Sequence, residues 1–221
     1  MGLITLKDVK ENKEVKNFLR IAAIQMDVLG YTEHSFRHVN IVSKVAGNIL
    51  QKLGYDEREV ELARIAGYLH DIGNAINRVD HAHYGAILAY SLLTRMGMDF
   101  VEAGDIMHAI GNHDENSGTA VSNISSALIL ADKSDVHRSR VTNKDFANFD
   151  IHDRVNYAVE SSKVMVYKEE KSAVLELSID TNICPVMDYF EIFLDRMTMN
   201  RKAAEFLGLK FQLVINDTRL L

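Results

Sequence analysis

Residues Tyr68–Asn74 read YLHDIGN, and the fold is decided there. Upstream lies an apolar run at helical spacing over Glu57–Leu69, with Asp56 placed to cap its start. At His70 the pattern breaks, and Gly73 with its neighbouring asparagines signals a turn reaching to about Asp80. An imidazole and a carboxylate therefore stand side by side where a helix gives way to a turn. Taken alone, such a pair is as readily a helix end bonded to backbone as a metal site.

Working outward, helices are predicted over Val15–Leu29 and Ser35–Leu53, closed by Gly30 and Gly54. Further helices are predicted over Tyr84–Met96, Phe100–Ile110 and Ser122–Lys133; the first two are closed by Gly97 and Gly111. The single proline, Pro185, interrupts none of them. Beyond Val159 the character changes. Lys163–Lys168 and Ala173–Ile179 are rich in β-branched residues, with a hairpin turn over Lys168–Lys171. Pro185 opens an amphipathic stretch to Leu207, and Leu209–Ile215 reads as another strand. The expected architecture is mainly α, a helical bundle over 1–158 carrying a small α+β appendage, β-β-α-β, over 159–221.

The 221 residues suffice for a sizeable core, and 47% apolar with 25% charged residues is ordinary for a globular chain. A net charge of -6 gives no general basic field, so no nucleic-acid polymer is expected as partner. One cysteine, Cys184, permits no internal disulfide and excludes a thiolate-rich zinc site; a buried packing role is expected for it. No apolar run approaches the ~20 residues that span a bilayer, and the N-terminus is charged where a signal peptide is apolar. The expectation is a soluble, cytoplasmic protein, with a homodimer as its candidate assembly.

The chemistry lies in the spacing of the histidines. His34 and His38 are one helical turn apart. His81 and His83 stand just before the helix predicted from Tyr84, His108 and His113 near the end of the next, and Asp132 near the end of the last. In a bundle, these helix ends can converge on one pocket. Imidazole and carboxylate suit iron, manganese and zinc, and carboxylates also suit magnesium. Two metals need a shared ligand, and a hydroxide held between them is a strong nucleophile near neutral pH.

The ordered set resembles the HD-domain metal-dependent phosphohydrolase superfamily. The strings that carry it are RHVNIVSKVA (Arg37–Ala46), YLHDIGN, HAHYGA (His81–Ala86), AIGNHDE (Ala109–Glu115) and LADKSDVHRSR (Leu130–Arg140). The resemblance implies a helical bundle around His38, His70, Asp71 and Asp132, with Asp71 bridging two divalent ions. Of these, iron or manganese is preferred, with magnesium, cobalt, nickel or zinc as alternatives. It implies His81, rather than His83, and His113 as the two further ligands. His34 is a further candidate ligand or substrate contact. Many members read HD-x-x-K, where the lysine contacts phosphate; Asn74 stands at that position and removes the charge. A branch cleaving cyclic dinucleotides pairs two histidines before a GYP signature. Asn112-His113 and Asn116–Thr119 replace both, which argues against that substrate.

Lys133, Arg138 and, less so, Arg140 follow Asp132 closely and are candidates for holding phosphate, with His34 and Asn74 as further substrate contacts. His108 is expected in the core or behind the ligands, and His137 and His152 at the surface. The resulting expectation is hydrolysis of a phosphate ester or anhydride in a nucleotide-like small molecule, with His70-Asp71 at the catalytic centre. Two rivals share the ligand set: a di-iron oxygenase of the same fold, and a catalytically silent nucleotide-binding regulatory module.

Overall fold

In the computed structural model, residues 3–31, 36–141, 143 and 145–221 are described. The bundle begins with α1 (Leu6–Glu11) and α2 (Lys13–Val28), followed by α3 (Phe36–Leu53) and α4 (Glu57–Leu69). A short 3-10 turn, Ile72–Ala75, leads to α5 (His81–Arg95), α6 (Phe100–Gly111) and α7 (Asn123–Asp132). Side-chain caps start several of these helices. Asn12 accepts from the backbone of Glu14 and Val15, Asp56 from Arg58 and Glu59, and Ser122 forms a reciprocal capping box with Ser125. α2 buries one stripe, Val15, Leu19, Ala22 and Met26, whereas α7 is buried on every side from Ile124 to Ala131 and runs through the core.

The main helices match the sequence reading, with informative differences at their edges. α5 begins at His81, three residues before the expected Tyr84, because His81 and Ala82 are buried against the bundle and the first turn is packed. Its N-cap, Asp80, sits in the left-handed region at φ 58° and turns the chain sharply into the helix. Gly111, expected to follow a helix, is instead the last residue of α6. Two short helices escape the periodicity reading, α1 and α8 (Ile151–Ala158), each too brief to show an apolar stripe.

Gly73 fixes how the 3-10 turn meets α5. A Cβ at that position would collide with the carbonyl of His81 and the amide of Gly85, so only glycine lets the backbones approach this closely. That approach brings the turn after His70-Asp71 against the first turn of α5.

The C-terminal unit comprises β1 (Val159–Tyr167), β2 (Ser172–Ile179), α9 (Val186–Phe206), β3 (Lys210–Ile215) and a two-residue β4 (Thr218–Arg219). Its sheet has the order β1-β2-β3-β4, with β2 and β3 parallel across α9 and the outer pairs antiparallel. β1 starts earlier than expected, directly at the end of α8, and a register shift between Val159 and Ser161 absorbs the join. The inward residues of β2 (Ala173, Leu175, Leu177, Ile179) and β3 (Phe211, Leu213, Ile215) face Tyr189, Phe193, Met197 and Ala204 of α9 in one apolar cluster. That cluster is continuous from Val9 to Ile215, so bundle and sheet share a core. Cys184 is buried within it. Among the described residues, no helix is long and apolar enough to cross a membrane.

Candidate metal centre

Six side chains from separate elements converge in the bundle. His38 lies in the first turns of α3, and His70 caps the end of α4 with Asp71 next to it. His81 opens α5, His113 follows α6, and Asp132 ends α7. All but Asp132 are buried, and its side chain is only 12% exposed. His83 and Asp80 sit at the surface as a loose pair, with the His83 side chain 52% exposed; of the two α5 histidines only His81 joins the group. His108 is solvent-exposed, which corrects the expectation of a core or supporting role: it lies on the outer face of α6. His34 falls outside the described residues.

The ring nitrogens are sorted by their partners. His70 Nδ1 lies 2.9 Å from the carbonyl of Gly67, His81 Nδ1 3.2 Å from that of Arg78, and His113 Nδ1 2.6 Å from that of Ile110. His38 Nδ1 lies 2.7 Å from Asp135 Oδ2. Carbonyls and carboxylates accept only, so each ring donates from Nδ1 and turns Nε2 inward. The inward atoms meet in pairs, with His38 Nε2 3.2 Å from His70 Nε2 and His81 Nε2 3.3 Å from His113 Nε2. Asp71 stands between the pairs. Its Oδ2 lies 3.6 Å from His38 Nε2 and 3.4 Å from His70 Nε2, whereas its Oδ1 lies 3.6 Å from His81 Nε2. Asp132 Oδ1 completes the first group at 3.3 and 3.6 Å from the same two nitrogens.

This donor set fits metal ions. Ligand atoms about 2.1 Å from a shared cation lie roughly 3.0–3.5 Å from one another at ordinary coordination angles. The triads His38-His70-Asp71, His70-His113-Asp132 and Asp71-His81-His113 each bring their ligand atoms within 4.8 Å of one another, near that spacing before any ion draws them in. Two nitrogen lone pairs facing each other at 3.2 Å are otherwise unfavourable. With protein groups alone, burial pushes the His70 imidazole down, but Asp71 and Asp132 outweigh it and hold its pKa at about 10. Protons thus stand where cations would. His113 moves the other way, to about 3, through burial and the neighbouring His70, His81 and Lys133.

Around this centre lies a layer in which several residues named from the sequence take other partners than expected. Asn74 is fully buried, and its amide donates to Asp71 Oδ1 at 2.9 Å and to the Asp71 carbonyl at 3.1 Å. The side chain predicted as a substrate contact is thereby engaged with the central carboxylate. Asp135 orients His38 and is itself approached by Arg37 at 3.2 Å and Arg140 at 3.9 Å. Lys133 Nζ sits 2.8 Å from Asp132 Oδ2 and 2.5 Å from Glu115 Oε2, and Arg196 of α9 reaches Glu115 Oε1 at 2.9 Å. Arg138 pairs with Glu160 at 3.1 Å and lies over the Tyr157 ring, turned to the C-terminal unit. Asp135 had one signal in the sequence, its offset of three residues from Asp132 past the end of α7. Arg196 had none, since only the packing of α9 brings it near.

A family model described as HD domain matches residues 31–157. An uncharacterized protein of Methanocaldococcus jannaschii is 28% identical over 153 residues, 59% of this chain and 58% of its own length. Ribonuclease Y of Lawsonia intracellularis is 36% identical over 91 residues, 40% of this chain and 15% of its own. The chain therefore spans little more than half of one curated relative and a small part of the other. A crystal structure of a predicted HD superfamily hydrolase from an uncultured Thermotogales bacterium aligns with a TM-score of 0.44 at 26% identity, covering 61% of this chain and 75% of that one. The match over residues 31–157 takes in more than half of the chain and all six converging side chains, and the protein accordingly belongs to the HD domain family.

Proposed function

We propose that this protein is a metal-dependent phosphohydrolase that cleaves a phosphate ester or anhydride in a nucleotide-like small molecule. The observation that carries the reading is the division of Asp71, whose two oxygens face two different buried histidine groups. His38, His70, Asp71 and Asp132 would hold one divalent ion, and Asp71, His81 and His113 a second. When bound, such ions supply Lewis acidity toward phosphoryl oxygens and acidify a water.

The protein's own groups do the rest. Asn74 fixes the plane of Asp71 by donating to Oδ1. Asp135 and three backbone carbonyls fix the four rings and their tautomers. Lys133 donates to the outer oxygen of Asp132 and leaves the inner one facing the histidines. Burial of the donors keeps bulk water from competing for the site.

The likeness to Ribonuclease Y favours a second substrate, a phosphodiester in RNA, against which stands the net charge of -6. A screen over nucleotides, dinucleoside polyphosphates, sugar phosphates and short RNA, with manganese or iron supplied, separates the two. The proposal expects turnover of a small nucleotide-like phosphate, lost by about a thousandfold or more in Asp71→Ala. Full activity in that variant contradicts it. Oxygen uptake coupled to turnover would instead move the protein to di-iron oxidation, and tight binding without turnover to a regulatory role.

A further inference from the structure

The cations around the centre are not equivalent. Lys133, Arg138, Arg140 and Arg196 are each ion-paired with a carboxylate. Arg78 forms no ion pair among the described residues. Yet its Nη1 lies 3.4 Å from His81 Nε2 and 3.4 Å from Asn74 Oδ1, at the edge of the second histidine group. The guanidinium is spread over the ring of Tyr31, with 5.6 Å from Cζ to the ring centroid, and Tyr31 is 45% exposed. Arg78 is half-buried between a solvent-facing aromatic and the metal donors.

We propose that Arg78 is the residue that grips the phosphoryl group of the substrate, with Tyr31 and Asn74 holding its guanidinium in place. This rests on the hydrolase reading for its substrate but not for its chemistry. Two divalent ions facing only two carboxylates, Asp71 and Asp132, leave the centre positive, so an anion is drawn to its open side. An arginine beside such a centre, with no carboxylate partner among the described residues, is left available to an anion drawn between them. The guanidinium fork matches two oxygens of one phosphoryl group. Asn74 accepts from Arg78 and donates to Asp71, so one neutral amide sets the spacing between grip and centre. His81 Nε2 has one lone pair to offer, so an ion held there would leave Nη1 of Arg78 free for an anion.

The test is the affinity of metal-loaded protein for inorganic phosphate, read by calorimetry alongside metal content. Arg78→Ala is expected to keep the wild-type metal content and to bind phosphate at least about tenfold more weakly. Arg78→Lys, which keeps the charge but not the fork, should recover part of that loss, and Tyr31→Ala should weaken binding by about threefold. Unchanged phosphate affinity in Arg78→Ala, or no phosphate binding by the loaded wild type, overturns the proposal. So does a loss of metal in both Arg78 variants, which would make the residue structural. Because no turnover is measured, the two readings fail separately. Phosphate gripped through Arg78 without hydrolysis of any substrate sinks the hydrolase alone, and hydrolysis with affinity indifferent to Arg78 sinks this assignment alone.

Discussion

Replacing Asp135 by asparagine would leave its size intact and remove the carboxylate that His38 Nδ1 faces at 2.7 Å. Such supporting partners typically set metal affinity by 10- to 100-fold, and a loss of about that size is expected for Asp135→Asn in competition with a chelating dye. Asn74→Ala should lose a comparable factor, since it frees the carboxylate of Asp71. If either variant keeps wild-type affinity, these residues do not orient the donors. The donors themselves were legible in the sequence through the ordered strings that resemble the HD-domain superfamily; placement at helix ends alone left His70-Asp71 ambiguous and did not choose between His81 and His83. Their supports were not legible. Asp135, Asn74 and Arg78 act through hydrogen bonds whose partners are fixed only when α3, α7 and the turn before α5 meet.

At the scale of elements, the centre exists because helix ends meet over the turn Ile72–Ala75. Gly73→Ala places a methyl group into the backbone of His81 and Gly85, neither of which can swing aside. A destabilisation of about 2–3 kcal/mol is expected by denaturant titration, with weakened metal binding because His81 is displaced. A neutral result would show that the turn and α5 are free to separate. Periodicity located the long helices, but it could not place the start of α5, where burial of His81 and Ala82 extends the helix by a turn. α9 is the other informative element. Its Arg196 clamps Glu115, which in turn holds Lys133 against Asp132. Arg196→Ala should therefore perturb the centre from the C-terminal unit, seen as a measurable drop in metal affinity with α9 still folded.

Over the whole molecule, bundle and sheet bury one continuous apolar cluster, so the chain should unfold in a single cooperative transition by calorimetry. Two separated transitions would mean that 1–158 and 159–221 are independent units. The chelated protein should also show a stability window in pH. Burial pushes the Asp135 carboxyl up, but His38, Arg140 and Arg37 outweigh it and hold it at about 2, below the usual 3.8. Its contribution is present above about pH 4 and fades as pH falls toward 2. His70, held at about 10 against a usual 6.5, contributes fully below 6.5 and loses that contribution as pH rises through 10. His113 works the other way, since at about 3 against a usual 6.5 it stays neutral in the fold and costs stability as pH falls below 6.5. Melting temperatures of the chelated protein should accordingly peak near pH 6.5 and decline on both sides, and a profile still rising toward about pH 10 would contradict this assignment. The most direct test of the centre itself is the metal content of the chain purified without chelators and supplied with manganese or iron. Elemental analysis should find two ions per chain in the wild type and, with helical circular dichroism unchanged, a near-complete loss in Asp71→Ala. Two ions retained in Asp71→Ala, or none in the wild type, would contradict a centre built on that shared carboxylate.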